Sequence, residues 1–185
     1  IDAALVQALA ELTPLAPPHQ PASLAAIAAA RAHFGQARQF ACFDTAFHAH
    51  WPDATRRLAL PRRLHELGVR RYGFHGLAHQ HAAATLAAAC PTARRAVVAH
   101  LGSGASLCAL EDFHSVDASM GFSTLDGLPM ATRCGALDPG VVLHLLGAHG
   151  MAPAAVESLL YRESGLLGVF GVPPQHRLGC NGLIQ

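Results

Sequence analysis

Lysine is absent, and all thirteen basic side chains of the Lys/Arg type are arginine. This excludes a Gly-Lys-Ser/Thr phosphate loop, the strand lysine of a protein kinase and a lysine Schiff base, because each needs the ε-amine. Charge of either sign is also scarce. Only 14% of residues are charged and the formal net charge is +1, so nothing points to nucleic acid or to an acidic partner. The five cysteines, Cys42, Cys90, Cys108, Cys134 and Cys180, form no Cys-x-x-Cys pair. Their odd number and wide spacing predict reduced thiols in a cytoplasmic protein. No apolar run has the length of a membrane span and no signal peptide precedes the chain, so no membrane partner is expected. The chain starts at Ile1 rather than Met, as expected of a piece of a longer protein.

What remains is a globular composition. The chain has 185 residues, 51% of them hydrophobic, enough for one large domain or parts of two. Residues 1–13 read as helical. Pro14, Pro17 and Pro18 interrupt the chain before an alanine-rich helix over Ala22–Phe34. Gln39–Phe43 reads as a short buried strand ending at Asp44. Residues 51–63 read as a surface loop or short helix, Gly73–Gly76 as a turn, and Leu77–Ala89 as a helix. Ala96–Leu101 is expected to be a second buried strand, turned by Gly102-Ser103-Gly104-Ala105-Ser106 and returned by Leu107–Leu110 as a hairpin. Residues 115–136 show no period and are expected to be an irregular, functional stretch. Asp138 and Pro139 suit the cap and first position of a helix reaching His149. Pro153 opens another helix to about Arg162, and glycine and proline dominate from Ser164 on. Strands alternating with helices predict an α/β architecture.

Several positions could carry chemistry. Asp44 suits a catalytic or metal-side carboxylate, although a turn or helix-capping aspartate is the commoner role on spacing alone. His75 and His79 stand four apart, as zinc ligands on one helix face do, but thirteen histidines make chance pairs frequent. The Gly-x-Gly tip offers bare backbone N–H groups to a phosphate, and equally makes a plain tight turn. Arg133 has a planar fork suited to a phosphoryl group, and equally suits an ordinary surface.

Together these stretches resemble the acetate kinase family, which includes propionate and butyrate kinases. The matching runs are Pro14-Leu15-Ala16-Pro17-Pro18-His19, Phe43-Asp44-Thr45-Ala46-Phe47-His48 and Arg71-Tyr72-Gly73-Phe74-His75-Gly76. They continue with His100-Leu101-Gly102-Ser103-Gly104-Ala105-Ser106 and Ser115-Val116-Asp117-Ala118-Ser119-Met120-Gly121-Phe122. Last come Met130-Ala131-Thr132-Arg133, Asp138-Pro139 and Ser164-Gly165-Leu166-Leu167-Gly168. The resemblance implies an incomplete ribonuclease H-like α/β fold of the sugar kinase–actin type. Residues 1–44 would be the end of an N-terminal α/β domain, and residues 45–185 part of a second, nucleotide-binding domain. The implied reaction is reversible transfer of the γ-phosphoryl of ATP to acetate, propionate or a similar short-chain carboxylate, with Mg²⁺, giving acyl phosphate and ADP. A homodimer of the full-length protein is a further expectation. By resemblance Asp44, His75 and Arg133 are catalytic, His19 is on the substrate side, and His100, Leu101, Gly102, Ser103 and Gly104 touch the nucleotide phosphates. Acetate is already ionised at pH 7, so Asp44 is expected to act through Mg²⁺ or its waters rather than as a base.

The departures are specific. The family's Asn-Ala-Gly-Ser-Ser-Ser phosphate loop, its substrate-side Arg and its later metal-side Glu have no match here. Ser103 replaces an Asn, Leu77-Ala78 replaces Thr-Ser, and Ala136 replaces an acidic residue. Pro173-Pro174-Gln175-His176-Arg177 stands for Ser-Ser-Asp-Met-Arg, with Arg177 alone matching on the nucleotide side. The isolated chain is therefore expected to form no measurable acyl phosphate. The competing readings are an inactive truncated remnant that binds nucleotide weakly at most, and a His-rich metal-binding domain.

Overall fold

A computed structural model describes residues 1–15 and 19–171. Its centre is a three-stranded antiparallel sheet of β1 (Arg95–Leu101), β2 (Ala105–Glu111) and β3 (His114–Ala118), in that order. The β1–β2 register pairs Ala96 with Leu110, Val98 with Cys108 and His100 with Ser106. Successive strand side chains alternate between faces. The even-numbered residues of both strands therefore share one face, and in β2 that face is the buried one.

A helix covers that face. α5 (Gly76–Ala89) turns His79 and Ala83 inward, four residues apart on one stripe. Ala83, Cys108 and Leu110 form a core completed by Phe47, Leu86, Ala96, Val98 and Phe113. The opposite face carries Val97, Leu101 and Val116 in the open. β1 is thus half-buried only on alternate residues, not buried as expected for Ala96–Leu101 from its apolar run.

β3 falls inside the stretch expected to be irregular. Its buried polar residue is Ser115, whose Oγ accepts from Trp51 Nε1 at 2.9 Å and bonds His48 Nδ1 at 2.8 Å. His48 Nε2 donates to the Phe74 carbonyl at 3.1 Å, so Nδ1 accepts the Ser115 hydroxyl proton. Past β3, residues 119–136 are irregular as expected. Met120 and Met130 pack with Ala105, Phe74 and Leu128 and seat this loop beside the tip of the hairpin.

The remaining helices are α1 (Ala3–Glu11), α2 (Gln20–His33), α3 (Asp53–Arg56), α4 (Arg62–Glu66), α6 (Pro139–Gly147), α7 (Pro153–Ser158) and α8 (Gly165–Phe170). α6 starts as its sequence dictates, with the Asp138 side chain accepting from Gly140 N–H. The helix from Pro153 widens into a π-helical turn at Leu159–Glu163, and α8 forms within the stretch read as dominated by glycine and proline.

Gln39–Phe43 is not a buried strand. It is without strand pairing among the described residues, and Phe40 is 72% exposed. Apolar character signals burial but not the partner that supplies it. The described residues offer no neighbouring strand there. α1 and α2 bury none of their residues and lean on each other through Gln20 Nε2, which donates to the Leu9 carbonyl.

Candidate functional site

The site is built where the start of α5 meets the β1–β2 hairpin. His75 enters the helix at φ 57°, a left-handed conformation that costs a non-glycine residue about 1 kcal/mol or more. Asp44 holds it there. Its Oδ2 accepts from His75 N–H at 2.6 Å and its Oδ1 from Leu77 N–H at 3.4 Å. These are amides at a helix start, which have no partner within the helix and favour negative charge. Asp44 thus caps α5 from a distant segment. A Cβ on Gly76 would lie 1.9 Å from the Asp44 carbonyl oxygen, so only glycine lets the two backbones touch. The capping role weighed for Asp44 is thus the one its hydrogen bonds show, and the cap lies beside His75.

Across from α5, Ser106 projects from β2 with no exposure at all. Its Oγ lies 2.9 Å from His75 Nδ1 and 2.8 Å from His79 Nε2. His100 is cross-strand from Ser106, and its ring centroid is 4.3 Å from that of His75. Two residues before Ser106, Gly104 is buried without a side chain. A Cβ there would sit 3.3 Å from His75 Nε2 and 3.5 Å from Arg133 Nη1. The hairpin tip therefore leaves a notch the size of one atom group, with an imidazole and a guanidinium on its walls.

Arg133 reaches the notch from a loop clamped on both sides. The N–H groups of Ser164, Leu166 and Leu167, at the start of α8, donate to the carbonyls of Thr132, Met130 and Ala131 at 2.8–3.0 Å. The π-helical turn returns Leu160 O to Cys134 N–H at 3.1 Å and Tyr161 O to Thr132 Oγ1 at 2.8 Å. Such turns leave carbonyls off the α-helical ladder, and both are used here on the neighbours of Arg133. Gly165, at φ 62°, is in backbone contact with Met130 and Arg133. The guanidinium donates from Nη1 to Thr124 O at 3.2 Å. Arg133 also borders an open cavity of about 480 Å³ with Thr132, Tyr161 and Arg162.

Burial lowers the pKa of His75, and the charges of His100, Arg133 and His19 lower it further against the pull of Asp44. Burial first, then the charges of His48, His75 and His100, pushes His79 down to about 4. His48 is likewise lowered by burial. These three rings are neutral at pH 7, and a neutral imidazole offers one N–H donor and one acceptor.

Asp44, His75, His100, Gly104 and Arg133 are thus brought together. Leu101, Gly102 and Ser103 form the exposed tip beside them, and Gly102 N–H donates to Gly104 O at 2.9 Å. His19 lies exposed at the start of α2, close enough to act on His75 by charge. Arg177 and Cys180 lie outside the described residues. His75 and His79 share a face as their spacing predicts, but both turn to Ser106. No group of three or more His, Cys, Asp or Glu able to hold a metal occurs among the described residues. Ser106 and Gly165 were not singled out by sequence reasoning. The available signal was the strand alternation Gly104, Ser106, Cys108 set against the helical pair His75, His79.

The model of the acetokinase family matches residues 1–179. An acetate kinase of Methylocella silvestris is 54% identical over 163 residues, 87% of this chain and 40% of that protein. A propionate kinase of Francisella tularensis superposes with TM-score 0.87 at 36% identity, over 92% of this chain and 45% of the other. An acetate kinase of Porphyromonas gingivalis gives TM-score 0.83 at 38% identity, over 94% and 44%. The chain spans less than half the length of these relatives, and no described helix is long and apolar enough to cross a membrane. By motif, fold and family match alike, this chain belongs to the acetokinase family.

Proposed function

We propose that this chain carries the central part of the active site of a carboxylate kinase. The reaction is reversible transfer of the γ-phosphoryl of ATP to acetate, propionate or a similar short-chain carboxylate. The observation that carries the reading is the Gly104 notch, where His75 Nε2 and Arg133 Nη1 converge. During phosphoryl transfer, charge spreads over three equatorial oxygens, so catalysis depends on positioned donors more than on covalent help. Arg133 supplies a fixed positive fork and His75 a neutral N–H. A carboxylate oxygen attacks the γ-phosphorus, the bond to the ADP oxygen breaks, and no proton has to move. His100 and the exposed tip lie on the nucleotide side, and His19 on the carboxylate side.

Mg²⁺ fits this donor set in one way. Asp44 offers a single carboxylate, with lone pairs beyond those used by His75 and Leu77. That suits an ion held chiefly by substrate oxygens and water, not an all-protein cage. When bound, Mg²⁺ would supply charge neutralisation on the nucleotide oxygens.

The division at residue 44 is part of the same proposal. Residues 1–44 would belong to an N-terminal domain and residues 45–185 to the nucleotide-binding domain. It is supported by α1 and α2 having one another as their main contacts among the described residues, apart from the β1–β3 sheet. A cytoplasmic place is supported by Cys42, Cys90, Cys108 and Cys134, which are free among the described residues. Homodimerisation stays a proposal by family resemblance.

The test is to incubate the protein carrying this chain with ATP, Mg²⁺ and acetate or propionate, and to trap acyl phosphate with hydroxylamine. The expected result is acyl hydroxamate that disappears in Asp44→Asn. No product with either carboxylate would favour the remnant reading instead. The 185-residue chain by itself is expected to give none.

A further inference from the structure

Ser106 Oγ sits between two neutral imidazoles, yet a hydroxyl has one hydrogen to give. Were both rings to donate to its two lone pairs, that buried hydrogen would have no acceptor among the described residues, so one ring accepts it, the other donates, and the chain His79–Ser106–His75 has two polarities. In the first, Ser106 donates to His79 Nε2. His79 then carries its proton on Nδ1, which is buried and without a partner among the described residues. His75 would donate from Nδ1 and turn a bare Nε2 lone pair toward the Gly104 notch. In the second, His79 Nε2–H donates to Ser106, and Ser106 donates to His75 Nδ1. The orphan on His79 is then an acceptor lone pair, and His75 presents Nε2–H to the notch.

The two differ in cost. A buried N–H without a partner is rarer and dearer than an under-used acceptor. The first polarity also aims a lone pair at the place where an anion would sit beside Arg133. We propose that Ser106 and His79 are positioning residues that lock His75 as its Nε2–H tautomer, so that the notch always holds a donor. The use of that donor on a transferred phosphoryl group rests on the proposed function; the tautomer itself does not. His79 keeps its place because burial holds it neutral, and Ser106 passes the polarity on because its β2 position lies directly opposite the α5 face.

Tautomers are read directly from long-range proton–nitrogen spectra of ¹⁵N-histidine, recorded at neutral pH on the protein carrying this chain and assigned through His75→Gln. The expected spectrum shows protonated Nε2 and bare Nδ1 on both His75 and His79. A protonated Nδ1 on His75 overturns the proposal. In Ser106→Ala an Nδ1–H population should appear on His75, and Ser106→Thr, which keeps the hydroxyl, should suppress it. A pure Nε2–H spectrum in Ser106→Ala also overturns the proposal. If the added methyl of Ser106→Thr prevents folding at this fully buried site, the wild-type and Ser106→Ala spectra still decide. With turnover as a second readout, Ser106→Ala should lower kcat about tenfold or more with KM for the carboxylate little changed, as expected for a donor used in the transition state. Absence of acyl phosphate in the wild type would remove the kinase reading and leave the tautomer result standing, so the two failures are distinguishable.

Discussion

Gly104→Ala separates folding from function at the notch. Gly104 does not adopt a positive φ, so its backbone accepts a side chain. The new methyl would meet His75 Nε2 at 3.3 Å, His75 Cε1 at 3.4 Å and Arg133 Nη1 at 3.5 Å. These contacts are tight, but two side-chain ends can yield by a few tenths of an ångström. Loss of a glycine also narrows the unfolded ensemble, worth about 0.4–1 kcal/mol in favour of folding. Net stability should therefore stay within about 1 kcal/mol of the parent. A phosphoryl oxygen, however, must come within about 2.7–3.1 Å of its donors, and the methyl crowds its approach to both. Removing one such donor costs on the order of 10²–10³ in kcat, and here two are screened at once. The assay is acyl phosphate trapping beside a urea unfolding curve. A loss of at least about a hundredfold in turnover with an unmoved midpoint is expected. Turnover within about tenfold of the parent at equal stability would refute the reasoning.

Gly165→Ala should act through the clamp instead. Its Cβ would fall 2.1 Å from Met130 O and 2.5 Å from Arg133 O at φ 62°, so the loop must retreat by about 1 Å. A loss of about 2–4 kcal/mol in urea unfolding should accompany a turnover loss near a hundredfold from the misplaced Arg133. Ser115→Ala strands the Trp51 N–H and the His48 ring together, and should cost about 2–4 kcal/mol in the same unfolding experiment. Stability should also fall in mild acid. His79 titrates near 6.5 when unfolded but at about 4 when folded, so the unfolded state binds more protons between these values. Its contribution is complete above pH 6.5, declines as the pH drops toward 4, and is worth on the order of 3 kcal/mol. The lowered pKa values of His48 and His75 add in the same direction. Urea midpoints across this range should drop in the parent and drop less in His79→Gln.

The elements that carry their own local signals were legible in the sequence. α6 announces itself through Asp138 and Pro139, α5 through its length and alanine content, and the hairpin through its glycine tip. Where an element depends on distant partners, the reading failed. Gln39–Phe43 has the apolar residues of a buried strand but no strand beside it among the described residues. β3 escaped because its inward Ser115 is polar, and only Trp51 and His48, more than sixty positions away, make that burial tolerable. α8 escaped because Gly165 reads as a breaker, whereas its positive φ opens the helix against the Arg133 loop. At the site, family motifs pointed to Asp44, His75, His100, Gly104 and Arg133. Ser106 stood inside one of those motifs, but its role needs a strand face and a helix face brought together, which no linear spacing displays.

Arg133→Ala tests the central claim most directly, because the guanidinium is the one permanent positive charge assigned to the notch. The measurement is the steady-state rate of acyl phosphate formation by the protein carrying this chain, at saturating ATP and carboxylate. A loss on the order of a hundredfold or more is predicted, with the urea midpoint little changed. A loss smaller than about tenfold would contradict the assignment of Arg133 to the transferred phosphoryl group.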